Sequence, residues 1–413
     1  MDIVIEGRYK GFDYIVTDEM SGIIKLLGKG VPPFSPKYSF NQDYSLVPGD
    51  FNAHSHPEQS IYVEIVDKEW ALAKWCRETI YKYSIQMTEE MIYRACVRAF
   101  GRMLSYGVTC VMVSYYCHNK KGNELDSSVI KAAKDVGIRL FMGRMNYDVI
   151  NNDAYPEKRE SQSSYYETPE DAENNFVKLL ELESETVKVA PALHSFHANT
   201  LDAIVRGIGL GVKYGRKVQF HLSEDEGDVR LCLGKYGMRP VEVLADLKKS
   251  GRVEKLDHMI LSDCVWTSRR EKELIKENGM SVIFNGRMNE RVKAGTAAVK
   301  EYMELGIPIY VGTDGEASND DLSLKNEREW LSRKHVLNEK EKGSLLKPFE
   351  MAGTKVGVLE CGAVADIQVY KGAVLDSIFV GGRLIMKNGE LLSKELIDES
   401  EIYIKNMWEK IRP

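Results

Sequence analysis

PGDFNAHSHPEQ, residues 48–59, is the stretch on which the fold turns. It closes an apolar, β-rich run, Ser45–His56, and carries two histidines two residues apart. Alternate side chains of a strand point the same way, so His54 and His56 face one side at the end of that strand. Two imidazoles side by side suit a borderline divalent metal such as zinc. Seven further runs of the same kind follow: Val108–Tyr115, Arg139–Met145, Val187–His194, Lys217–Ser223, Met259–Trp266, Ser281–Asn285 and Pro308–Asp314. Amphipathic segments such as Thr88–Tyr106 and Ser268–Asn278 separate them. The runs are apolar throughout, as expected of parallel strands buried on both faces. Eight βα repeats predict an α/β fold, a (β/α)8 TIM barrel.

Barrels of this kind carry their reacting groups at the C-terminal ends of the strands. The fourth run ends in His194, the fifth holds His221 in QFHLSE, and the eighth ends in Asp314 in VGTDGEASND. Each has an ordinary structural explanation. An HxH pair occurs by chance, a strand-end histidine often just satisfies backbone groups, and an aspartate before glycine makes an Asx turn or caps a helix. Together, four of the chain's eight histidines at strand ends favour one shared metal site on His54, His56, His221 and Asp314. Gln59, Trp75 and Arg144 are candidates for the pocket wall, although an arginine at a barrel rim is commonly a salt-bridge partner. Cys117–His118 reads as loop, and the mixed charges of Arg269–Lys276 as a solvated helix face.

Outward from the barrel, residues 1–49 read as short strands and turns. Strand-like pieces return after about Leu345 (VADIQVYKG, SIFVGGRLIMKNG), and a closing helix is predicted over Leu396–Trp408. We therefore expect two units: a composite β-sandwich from 1–49 and 345–413, and the barrel from 50–344.

The 413 residues are 43% hydrophobic and 29% charged, ordinary globular values that exclude a disordered chain. A net charge of −6 gives no reason to expect nucleic acid or a membrane as partner. Seven scattered cysteines without a CxxC pair point to free thiols, and the N-terminus lacks a signal-peptide pattern. A cytoplasmic protein is the expectation, with a homodimer as the default assembly.

The motifs also carry a resemblance. PGDFNAHSHPEQS, EWALAKW followed by MLSYGVTCVMVSYY, GIRLFMGRMNYD, HSFHANT, QFHLSEDEGDV and YVGTDGEASNDDLSL are similar to segments of the amidohydrolase superfamily. The likeness is to the branch of nucleobase and S-adenosylhomocysteine deaminases and triazine chlorohydrolases, and it spans nearly the whole chain. It implies His54, His56, His221 and Asp314 as metal ligands, and Glu224 as the carboxylate that shuttles protons. His194 matches a histidine near the substrate in some members. Binuclear members use a carboxylated lysine at the end of strand four, but here Lys188 lies at its start, so one ion is implied. Zinc is expected, and iron(II) or manganese(II) would be accepted by the same donors.

The implied reaction is hydrolytic deamination of an amino-substituted, nucleobase-like or triazine-like heterocycle, a small-molecule substrate. Asp314 would take a proton from water activated at the ion, and Glu224 would protonate a ring nitrogen. Two departures from the family pattern stand out. Strand six reads ILSDCVWTS, with Asp263 where a histidine is usual, and NGRMN (285–289) replaces the usual NPxSN, keeping only Asn285 and Asn289. Asn289 is carried over as a substrate contact. Asp263 admits three roles: accepting a hydrogen bond from the leaving amine, joining the metal shell, or marking lost activity. The alternatives to deamination are thus displacement of another leaving group, as in a chlorohydrolase, and a degenerate homologue that binds without turnover.

Overall fold

The computed structural model describes residues 2–411. Eight parallel strands, Asp50–Ser55, Val108–Tyr115, Arg139–Asn146, Val187–Leu193, Val218–Leu222, Met259–Asp263, Ser281–Phe284 and Ile309–Val311, pair in chain order. The second and third are buried at every position, which is why neither alternates polar with apolar residues; the two arginines of the third, Arg139 and Arg144, are paired with buried carboxylates. The ring closes where Thr313 N and Asp314 N donate to His54 O at 3.2 and 3.1 Å. Strand eight passes so near strand one that a Cβ on Gly312 would meet the His54 Cβ at 2.8 Å, so only glycine fits there. The TIM barrel expected from the repeats is present.

Six of the expected runs are longer than the strands that form, three of them by three residues or more. Ser45–His56 breaks at Gly49: Tyr44–Pro48 joins the terminal sheet, and Asp50–Ser55 enters the barrel. Gly49 permits this, since a side chain there would run into Thr109, and its N–H goes to Asp366 O at 2.8 Å. Strand six stops at Asp263 because Asp263 and Cys264 turn left-handed, with φ of 75° and 48°. Strand eight stops at Val311, ahead of the glycine contact and a left-handed Asp314.

The interior of the barrel is apolar at its floor. Ala53, Cys110, Phe141, Ala190, Ile260 and Ile283 meet there. A hairpin of Phe349–Met351 and Thr354–Val356, which follows the last barrel helices, plugs this floor by stacking Phe349 on Phe51 at 4.5 Å between ring centres. The terminal segments form a nine-stranded sheet, five strands from Asp2–Pro48 and four from Ile367–Leu391. The two ends of the chain meet where Tyr44–Pro48 runs antiparallel to Ile367–Lys371. Ile5, Ile15, Leu46, Ile367 and Phe379 give this sheet its own core. The closing helix, Lys394–Ile411, is longer than predicted and anchors Trp408 Nε1 on Ile61 O, bracing the turn Pro57–Tyr62 behind His56.

One buried ion pair fastens sheet to barrel. Arg139, on strand three, makes a two-pronged bond to Asp366 at 2.8 and 2.9 Å and donates to Glu185 O at 2.6 Å, while Gly381 N donates to Asp366 at 2.7 Å. Truncating one partner strands the other charge in the interior. Arg139→Ala is expected to cost about 3–5 kcal/mol, seen as a lower urea midpoint. A loss below about 1 kcal/mol would show that water reaches the pair.

Candidate metal centre and its cavity

The four sequence-selected ligands converge. Gln219 lies two residues before His221 on strand five, so both point into the barrel. Its amide N–H donates to Ala53 O at 2.6 Å, which fixes the amide and leaves Oε1 facing His54 Nδ1 at 2.9 Å. Ser114 Oγ donates to the same oxygen. His54 therefore carries its proton on Nδ1 and presents a bare Nε2. His221 does the same, because its Nδ1 sits 3.0 Å from the carbonyl oxygen of His194 and must donate to it.

The bare nitrogens face one another. His221 Nε2 is 3.2 Å from His54 Nε2 and 3.3 Å from His56 Nε2. Asp314 Oδ1 stands 3.4 Å from His54 Nε2 and 3.3 Å from His56 Nε2, with no hydrogen-bond donor of its own. Asp314 Oδ2 accepts from Ser318 Oγ at 3.1 Å. Lone pairs held this close repel unless a cation lies between them, and three imidazoles with one carboxylate match a zinc-type donor set. Burial keeps His56 at about 4 and His221 well below the usual histidine range, so both rings are neutral as coordination requires. Burial lowers His54 too, but the Asp314 carboxylate overrides it and holds that ring above its ordinary value. Burial pushes Asp314 up, and the three surrounding imidazoles reverse this, leaving it below the ordinary carboxylate range. The pair demands positive charge at this point. Gln219→Leu frees the His54 tautomer and is expected to weaken metal binding about 10–100-fold in a chelator competition. Unchanged affinity would mean that His54 needs no such guide.

A cavity of about 260 Å³ opens over these residues. Glu224, three residues past His221, lines it, and burial followed by the nearby Asp263 and Asp314 pushes its carboxyl well above the usual range. Asp263 lines the same cavity at 1% exposure, raised by burial to about 6. The backbone is strained here: Ser223, Asp263 and Asp314, at the ends of strands five, six and eight, all adopt left-handed φ of 53°, 75° and 57°.

The other sequence-selected residues divide. Gln59, Trp75 and His194 line the cavity as expected. His194 packs edge-on to Tyr116 and Tyr147, and burial holds its ring well below its usual pKa. Arg144 does not reach the cavity. It is locked to Glu167 at 2.7 and 2.8 Å and to Asn123 at 2.8 Å, so its substrate role is withdrawn. Asn289 is also corrected: its amide donates to Asp263 Oδ1 at 3.2 Å beside that of Asn285 at 2.9 Å, and Met288 reaches the cavity instead. His118 is fully buried between Asp126 and Met145 O, consistent with a structural loop. The phenols of Tyr81, Tyr116, Tyr147 and Tyr155 were not anticipated, and neither was Gln219. Period-two alternation back from His221 would have found Gln219, whereas Tyr81 sits in a four-residue helix, Ile80–Tyr83, and the other tyrosines in or beside loops, none of which carries a spacing signal.

Known proteins share this chain's family and fold. The profile of the amidohydrolase family matches residues 45–391. A 5'-deoxyadenosine deaminase of Methanopyrus kandleri is 26% identical over 389 residues, covering 86% of this chain and 84% of the relative. A 5-methylthioadenosine/S-adenosylhomocysteine deaminase of Pyrococcus furiosus is 23% identical, covering 95% and 94%. Among solved structures, a zinc-complexed atrazine chlorohydrolase from Arthrobacter aurescens superposes with a TM-score of 0.78 at 18% identity, covering 97% of this chain and 98% of that one. A zinc-bound adenosine deaminase from Xanthomonas campestris gives 0.75 at 18%, covering 95% and 93%. At such identities the structural likeness speaks for the fold.

Proposed function

The chain belongs to the amidohydrolase family, and on that premise we propose that it is a mononuclear metal-dependent deaminase of an amino-substituted, purine-like heterocycle. The observation that carries this is the convergence of the bare His54 and His221 Nε2 atoms and the undonated Asp314 Oδ1 beneath a cavity lined by Glu224, whose carboxyl burial raises. Zinc is the ion this donor set favours, held by His54, His56, His221 and Asp314. The bound ion would supply Lewis-acid activation of water at neutral pH.

The remaining work falls to the chain's own groups. Asp314 offers a carboxylate to take the proton of the attacking water, and Ser318 steadies its second oxygen. Glu224 delivers a proton to the ring nitrogen next to the amino-bearing carbon, making that carbon electrophilic. The aromatic wall of Trp75, Tyr116 and Tyr147 accepts a flat ring and keeps bulk water out. A purine-like ring is favoured over triazines because the relatives similar in sequence bear adenosine-type names.

Metal analysis of the purified protein, followed by an ammonia-release screen, tests this. The panel is adenosine, 5'-deoxyadenosine, 5-methylthioadenosine and S-adenosylhomocysteine, with cytosine, a pterin and melamine as contrasts. About one ion per chain and release from the adenosine group are expected. No bound ion would sink the proposal, and an ion without ammonia from any compound would favour a binding protein without turnover.

A further inference from the structure

Asp263 is held by one oxygen only. Its Oδ1 accepts from the buried amides of Asn285 at 2.9 Å and Asn289 at 3.2 Å. Its Oδ2 is buried and has no hydrogen-bond partner among the described residues, although the residue lines the cavity beside Glu224 and Met288. Two amides pulling on one oxygen stop the carboxylate from rotating and favour its ionised form. The second oxygen is thus an oriented acceptor, costly to leave unsatisfied, which the protein's own donors do not reach.

Resting on the deaminase reading, we propose that Asp263 selects the leaving group, its free oxygen accepting an N–H of the departing amine and excluding groups that leave as anions. In the reaction, a C–O bond forms to water and the ring C–N bond breaks with its electron pair on nitrogen. Of the two water protons, one ends on the ring nitrogen by way of Glu224 and the other on the amine, which departs as ammonia. Nitrogen gains positive character as it takes up that proton, and an adjacent carboxylate stabilises it. Chloride departs with negative charge, and the same carboxylate opposes it. An imidazole in this place can donate or accept and tolerates both. A carboxylate clamped by Asn285 and Asn289 serves only the donor.

The test compares adenosine with 6-chloropurine riboside on the metal-loaded enzyme and its Asp263→Asn variant. The wild type is expected to prefer the amine although chloride is intrinsically the better leaving group. In D263N the kcat/KM for adenosine should fall on the order of 10²-fold while that for the chloro compound holds or rises. Metal content, measured alongside, should not change. Equal slowing of both substrates would assign Asp263 to ordering the water, and loss of the ion would place it in the metal shell. Either result overturns leaving-group selection. If D263N does not fold, the wild-type preference decides, and comparable hydrolysis of both compounds overturns the proposal. A wild type that displaces chloride but releases ammonia from nothing in the screen refutes the deaminase reading, and this proposal falls with it.

Discussion

An Asp314→Asn protein is expected to purify folded but without its ion, with kcat/KM lowered on the order of 10⁴-fold or more, about 5 kcal/mol of barrier. Asparagine matches aspartate in shape and tolerates the left-handed φ of 57°, so the turn into Gly315 should survive. What disappears is the only anion among the four proposed ligands. Three neutral imidazoles and an amide oxygen bind a divalent ion far less tightly than the native set, and the carboxylate that would take the proton of water is gone too. Metal analysis and ammonia release read the two effects separately. Added zinc should raise the melting temperature of the wild type much more than that of the variant, because binding to the folded state alone stabilises it. A variant that keeps one ion per chain and full turnover would remove Asp314 from the site.

Glu224→Gln should leave the metal in place and lower kcat about 10²–10⁴-fold, the range for loss of a positioned proton donor. Glutamine fills the same space but cannot pass a proton to a ring nitrogen. The pH profile carries the sign. Burial raises the Glu224 carboxyl, so its protonated, active form persists to higher pH than an ordinary carboxyl's, and wild-type activity should fall as pH climbs through that raised value. In the variant this alkaline fall should vanish, leaving a low, flatter profile. Turnover within a few-fold of wild type would assign the proton transfer to another group.

The barrel and the convergence of its four candidate ligands were legible because both follow from strand chemistry. Val108–Tyr115 matches the predicted strand to the residue, since a strand buried on both faces reads as one β-rich run with only small polar residues, Thr109 and Ser114, and no charge in it. His54, His56, His221 and Asp314 were legible from their places at or just beyond strand ends. The errors share a different cause. Arg144 and Asn289 lie at the rim where site residues collect, but sequence gives their height along the barrel and not the direction of the side chain. Arg144 turns to Glu167, and Asn289 turns to Asp263. The hairpin over residues 349–356 reads like the terminal strands around it, and only packing against Phe51 shows that it seals the barrel floor.

The left-handed strand ends at Ser223, Asp263 and Asp314 have a consequence for how this sequence can change. Non-glycine residues in that conformation cost on the order of 1 kcal/mol each, so the fold is least comfortable beside its ligands. Glycine at any of the three would relax the backbone, and at Asp263 or Asp314 it would remove a side chain of the candidate site in the same step. Selection for thermal robustness alone would thus steer a library towards an inert barrel. Keeping these residues requires selection for turnover, because folding by itself favours their loss.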